Sequence, residues 1–282
     1  MKRLFAFPVV RLVLIVLLFG ALITPLVLGV RGAHSAVTDV VVNWVLLAAL
    51  LASAMLVERF TVRKSLTEIG FGSNNVLRDF LFGAALGAVL FSLVVLELAI
   101  AGHYRVVAVH FTPGLAIAGL LLLPAAAIEE LLFRGVLFRL IEEWSGTWIA
   151  LAVSAAIFGL VHSANPGATW VSTLAIALEA GVLLAAAFIV ARNLWFPIGL
   201  HFAWNFAEGP IFGTQVSGHA FGASALTAHL SGPTLLTGGA FGPEAGLGAM
   251  LTCLVASVAL LTFAVRRSQV ASPNWKMSRS YD

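Results

Sequence analysis

Charge is scarce in this 282-residue chain: Asp, Glu, Lys and Arg make up 10% of it, against 60% hydrophobic residues. Soluble domains carry about 25% charged and about 45–50% apolar residues, so this composition cannot build a mostly polar exterior. A disordered chain is excluded as well, since it needs high charge and little apolar mass. Cysteine is nearly absent. With Cys253 alone there is no internal disulfide framework and no Cys-rich zinc or iron–sulfur centre; among Thr, Leu and Val and with no base nearby in sequence, it reads as a small core residue. The stretch 209–243 has no Asp, Glu, Lys or Arg. It reads as an exported, partly re-entrant loop, and its run 236–243 lacks the Lys of a phosphate-binding loop, leaving turn chemistry.

Hydrophobic length is what the chain has in abundance. A helix needs about 20 mainly apolar residues to cross the bilayer core. Eight runs qualify: 9–30, 37–57, 80–101, 114–141, 147–161, 169–191, 195–212 and 246–265, the fifth and seventh being short. Gly20, Pro25, Gly87, Pro124 and Pro197 lie inside them and are tolerable where neighbouring helices satisfy the freed backbone groups. The expected fold is all-α, a polytopic transmembrane bundle of about eight membrane-spanning helices forming a single integral membrane domain over 1–282. The first run, at about 22 residues, exceeds the 7–15-residue apolar region of a signal peptide, so it is expected to stay as a span although 33–36 resembles a cleavage site.

The net charge is +3, and the basic residues cap the apolar runs. Lys2, Arg3 and Arg11, then Arg59, Arg63, Lys64 and Arg78, then Arg192, then Arg266, Arg267, Lys276 and Arg279 fall on one side. Arg31 and Arg105 fall on the other. The positive-inside rule therefore predicts a multi-pass protein of the cell membrane with both termini cytoplasmic, and argues against a nucleic-acid partner.

Ionisable groups at bilayer depth cost at least about 2.5–3.5 kcal/mol each at a helix centre, so they mark a candidate site. The run 114–141 holds Glu129, Glu130 and Arg134; the next ends in Phe158 and His162; the run 195–212 holds His201 and Asn205. Glu130 and Arg134 are spaced i,i+4 and can pair on one helix face. Glu129 lies about 100° around the axis, free to face a cavity as a poorly solvated general base. His201 and Asn205 also share a face, a donor pair suited to an oxyanion. Each feature has a plainer reading: a structural ion pair, an interfacial histidine, or interhelical hydrogen bonding. Glu179, midway along its run, is expected to support the site or face a wet cavity. Glu97, near a helix end, is expected to snorkel or cap.

In this order the three motifs, Glu129-Glu130-xxx-Arg134, Phe158-xxx-His162 and His201-xxx-Asn205, resemble those of the CPBP intramembrane proteases. That family joins the type II CAAX prenyl endopeptidases with bacterial relatives linked to bacteriocin processing or self-immunity. The approach 193–201 is also similar, and the resemblance covers roughly 120–206, with 114–212 as the catalytic core. It implies that Glu129 and His162 activate a water against a peptide carbonyl and that His201 and Asn205 hold the oxyanion. Glu130 and Arg134 would support the site, and Phe158 would pack beneath His162. The implied reaction is hydrolysis of a peptide bond in a membrane-embedded or lipid-anchored substrate.

Glu129, His162 and His201 are also the residue types of a two-His-one-carboxylate zinc site. The resemblance favours no metal and no other cofactor, and a neighbouring Arg134 disfavours a cation unless Glu130 neutralises it. Two other functions compete with hydrolysis: a non-catalytic immunity or scaffold protein that binds a peptide, and a transporter with Glu129 and Glu179 as proton carriers.

Overall fold

The computed structural model describes residues 7–30, 35–110 and 112–273. Lys2, Arg3, Arg31, Ala33, His34, Lys276 and Arg279, which enter the charge pattern and the possible cleavage site, lie outside the described residues. The chain is an all-α bundle, 73% helical. In chain order its long helices are α1 (Pro8–Gly29), α2 (Ala36–Thr61), α3 (Val76–Ile100), α4 (Gly114–Ser145), α5 (Thr147–His162), α6 (Trp170–Ala191), α7 (Trp195–Phe206) and α8 (Leu247–Arg266). Each falls on one of the eight apolar runs. Six stretches are long and apolar enough to cross a membrane, α3 counting from Thr67, while α5 and α7 have 16 and 12 residues. Large apolar side chains point outward around the bundle, among them Leu17, Phe60, Phe82 and Val255. In water such a surface would aggregate; in lipid it is the solvated face. The protein is a multi-pass membrane protein.

A narrow seam seats α7 against α3. A Cβ on Gly83 or Gly87 of α3 would lie 2.0 Å from the Phe196 carbonyl or 2.2 Å from that of Leu200, and one on Gly199 would lie 2.1 Å from the Phe80 carbonyl. Only hydrogen atoms fit there, so the two backbones touch. Gly159 of α5 plays the same part against Thr173 of α6. These seams fix the helices that carry His162 and His201.

At one end of the bundle a charge network joins three helices. Arg11 of α1 bonds Glu58 of α2 at 3.3 Å and also pairs with Glu143. Arg139 of α4 bonds Glu58 at 2.9 Å and Glu143 at 2.8 Å, and Lys64 reaches Glu143 too. Arg192 pairs with Glu142 at 2.7 Å, and Asn193 donates to Asp79 at 2.9 Å. The opposite end carries a two-stranded antiparallel ribbon, β1 (Tyr104–Val109) on β2 (Leu226–Leu230), with a bulge between Val106 and Ala108. The stretch 209–243 is therefore neither a simple loop nor mainly helical: it supplies β2 and folds down over the helix ends.

Candidate active site

The α4 helix widens by one residue per turn over Leu131–Phe138, just after the two glutamates. Such π turns leave backbone groups unpaired and recur at functional sites. Arg134 lies in this turn and reaches back to Glu130, Nη1 to Oε1 at 2.8 Å, with both side chains sealed from solvent. Its other terminal nitrogen donates to the Ala180 and Gly181 carbonyls at 3.2 and 3.3 Å, at the end of a second π turn, Ala177–Gly181 in α6. The ion pair has a third member from α7. His201 places Nδ1 2.9 Å from the same Glu130 oxygen. Because that carboxylate already accepts from Arg134, it can only accept again, so His201 donates from Nδ1 and leaves Nε2 facing outward.

Glu129 points elsewhere. Its side chain is 35% exposed where that of Glu130 is 0%, and its Oε2 stands 3.7 Å from Nε2 of His162. The other His162 nitrogen donates to the Phe158 carbonyl one turn back, at 2.8 Å, so Nε2 is held as an acceptor. The Phe158 and His162 rings pack with centroids 4.5 Å apart, and the Arg134 guanidinium carbon sits 4.6 Å from the centroid of the same phenyl ring. Phe133 meets Phe158 edge-on at 4.8 Å. Imidazole, phenyl and guanidinium thus form one packed stack.

Glu129, His162, His201 and Asn205 all line one cleft of about 370 Å³, with Glu130, Arg134 and Phe158 behind its wall. Every residue singled out in the three motifs meets at this place. Residues 110–207 match the family model of the type II CAAX prenyl endopeptidase, Rce1-like. Over that region the chain is similar to the CAAX protease family. No curated protein and no solved structure gives a significant match.

The core brings with it groups that the motifs do not contain. Behind the cleft is a cavity of about 20 Å³, room for roughly one water. His162, His201 and Asn205 line both it and the cleft, and Glu179, Glu244 and Cys253 line it without reaching the cleft. Cys253 is accordingly not remote from ionisable groups, as its sequence neighbours suggest; α8 turns it toward Glu179. Glu179 does not bond Arg134, whose free nitrogen takes the carbonyls beside it. Glu208, in a third π turn (Ala207–Ile211), accepts from the Glu244 backbone at 3.4 Å, and Ser217 donates to Glu244 at 2.7 Å. Glu179, Glu208 and Glu244 are all buried. Glu208 and Glu244 are the acidic residues that bracket the uncharged stretch 209–243, and that bracketing is the one sequence signal that could have marked them. Glu97 accepts from Thr252 of α8 at 3.0 Å, an interhelical bond instead of a cap.

Among the described residues no three His, Cys, Asp or Glu side chains are grouped to hold a metal ion. Of the residue types that suggest zinc, Glu129 and His162 adjoin each other, while His201 turns its Nδ1 to Glu130.

Proposed function

We propose that this chain is an intramembrane endopeptidase that hydrolyses a peptide bond with a water activated by Glu129 and His162. The observation that carries the reading is the 3.7 Å gap between Glu129 Oε2 and His162 Nε2 at the cleft. It is too long for a direct hydrogen bond and short enough for one water to donate to both acceptors. A water held in that way turns an oxygen lone pair toward the cleft.

Attack on a peptide carbonyl then transfers one water proton to Glu129 and forms a tetrahedral oxyanion. Asn205 and Nε2 of His201 are the donors for that charge. His201 can donate from Nε2 while also donating from Nδ1 only as an imidazolium, a positive charge that Glu130, shared with Arg134, offsets in part. Collapse of the intermediate breaks the C–N bond, and Glu129 returns its proton to the departing amine. Arg134 holds Glu130, and Phe158 holds His162, so both act by positioning. The reading assigns no metal to any step.

The substrate class is a membrane-embedded or lipid-anchored peptide, and the protein is oriented with both termini in the cytoplasm. A purely binding role as an immunity or scaffold protein has no use for a water-activating carboxylate. The test is Glu129→Ala in purified, reconstituted protein against a pool of helix-anchored peptides. Cleavage by the wild type and a fall of about 10²–10⁴-fold in the variant at normal abundance are expected. Equal cleavage by both proteins contradicts the reading.

A further inference from the structure

The mouth of the cleft lies at one end of the bundle. Its rim is built from Asn165, just past the end of α5, and from Val216, Ser217 and Phe221 of the segment between α7 and α8. The same end carries the β1–β2 ribbon. Arg63, Lys64, Arg78, Arg192, Arg266 and Arg267 all belong to the other end, where the start of α3 and the segments after α6 and α8 meet through Arg192 and Asn193. Among the described residues, Arg105 is the one Lys or Arg at the mouth end. By the positive-inside rule the basic end is cytoplasmic, so the mouth is not.

The cleft also continues beyond its rim. Phe221, whose ring packs against Gly209, lines both the cleft and a second groove of about 270 Å³. Thr214, Gln215 and the β2 residues Ala228 and Leu230 line that groove. On the other side of Glu129 the cleft wall is apolar, with Leu122, Leu132 and Phe133. A single peptide lying across the site meets an apolar compartment on one side and a polar one on the other.

We infer that the site is served from the exported face: its substrate is a peptide anchored in the membrane whose polar segment runs outward past Phe221 into the groove below β2. The substrate half of this inference rests on the endopeptidase reading; the sidedness rests on charge and geometry alone. The experiment separates them.

Cys253 is the sole cysteine and is buried, so Cys253→Ser gives a clean background. Ala220→Cys and Gln215→Cys are then placed in the groove, and Ser65→Cys at the basic end, each in intact cells treated with a membrane-impermeant maleimide. Labelling of either groove cysteine in intact cells, with Ser65→Cys labelled only after lysis, is expected. Labelling of Ser65→Cys in intact cells, with the groove cysteines protected until lysis, overturns the inference. In a second arm, cells carry a helix-anchored reporter peptide whose polar segment faces out or in. Glu129-dependent cleavage of the outward reporter supports the substrate assignment, and cleavage of the inward reporter alone overturns it. If neither reporter is cut, the endopeptidase reading fails and the labelling still decides the sidedness.

Discussion

Glu129 and Glu130 are adjacent in sequence and opposite in situation. Glu130 is sealed and serves Arg134 and His201 together, while Glu129 opens onto the cleft. Removing a partner from a buried ion pair strands the other charge, at a cost of about 3–5 kcal/mol. Glu130→Ala is therefore expected to lower the thermal midpoint in detergent sharply, whereas Glu129→Ala leaves it nearly unchanged; equal losses would contradict the division of labour. The metal question belongs at the same scale. Protein stripped with a chelator is expected to keep its peptidase activity, and stoichiometric zinc that restores a lost activity would reverse the assignment. The i,i+4 spacing made the Glu130–Arg134 pair legible in the sequence, because both partners sit on one helix. The His201 contact was not legible, since it joins residues 71 apart across two helices. Nor was the grouping of Glu179, which the sequence did mark, with Glu208 and Glu244: the three come from separate segments and carry no common periodicity.

At the scale of the element, apolar run length was a sufficient guide. The eight runs match eight helices, with ends shifted by a few residues where the apolar stretch and the hydrogen-bonded helix do not coincide. The three π turns beside the site left no mark in the hydrophobic pattern, yet each holds a polar residue of the site region: Arg134, Glu179 or Glu208. The ribbon was equally hidden. Its strands are short and pair Tyr104 with Leu230, a register that local sequence does not encode. The glycine seam between α3 and α7 gives the test at this scale. Gly87→Leu drives a side chain into the Leu200 backbone, one residue before His201, and such overpacking costs about 1–3 kcal/mol or more. Both a lower thermal midpoint and a loss of cleavage are expected, measured on the same reconstituted sample. Retained activity would mean that α7 is not positioned by this contact.

For the whole molecule, composition alone placed the chain in the membrane, and the helical bundle with its apolar girdle agrees. The structure adds an asymmetry. Buried and half-buried charge networks tie α1, α2 and α4 at the basic end, while the site, the ribbon and the folded-down segment 209–243 occupy the other. The family match spans 110–207, the helices that hold the motifs, so the flanking helices and the outer segment are where substrate preference is to be sought. The central claim is that the convergence of Glu129, His162, His201 and Asn205 hydrolyses a peptide in the membrane. Its most direct test is quantitative mass spectrometry of membrane peptides from cells expressing either the wild type or Glu129→Ala at matched abundance. New peptide ends, arising at membrane-proximal positions and vanishing with the variant, are the predicted result; indistinguishable peptide inventories would contradict it.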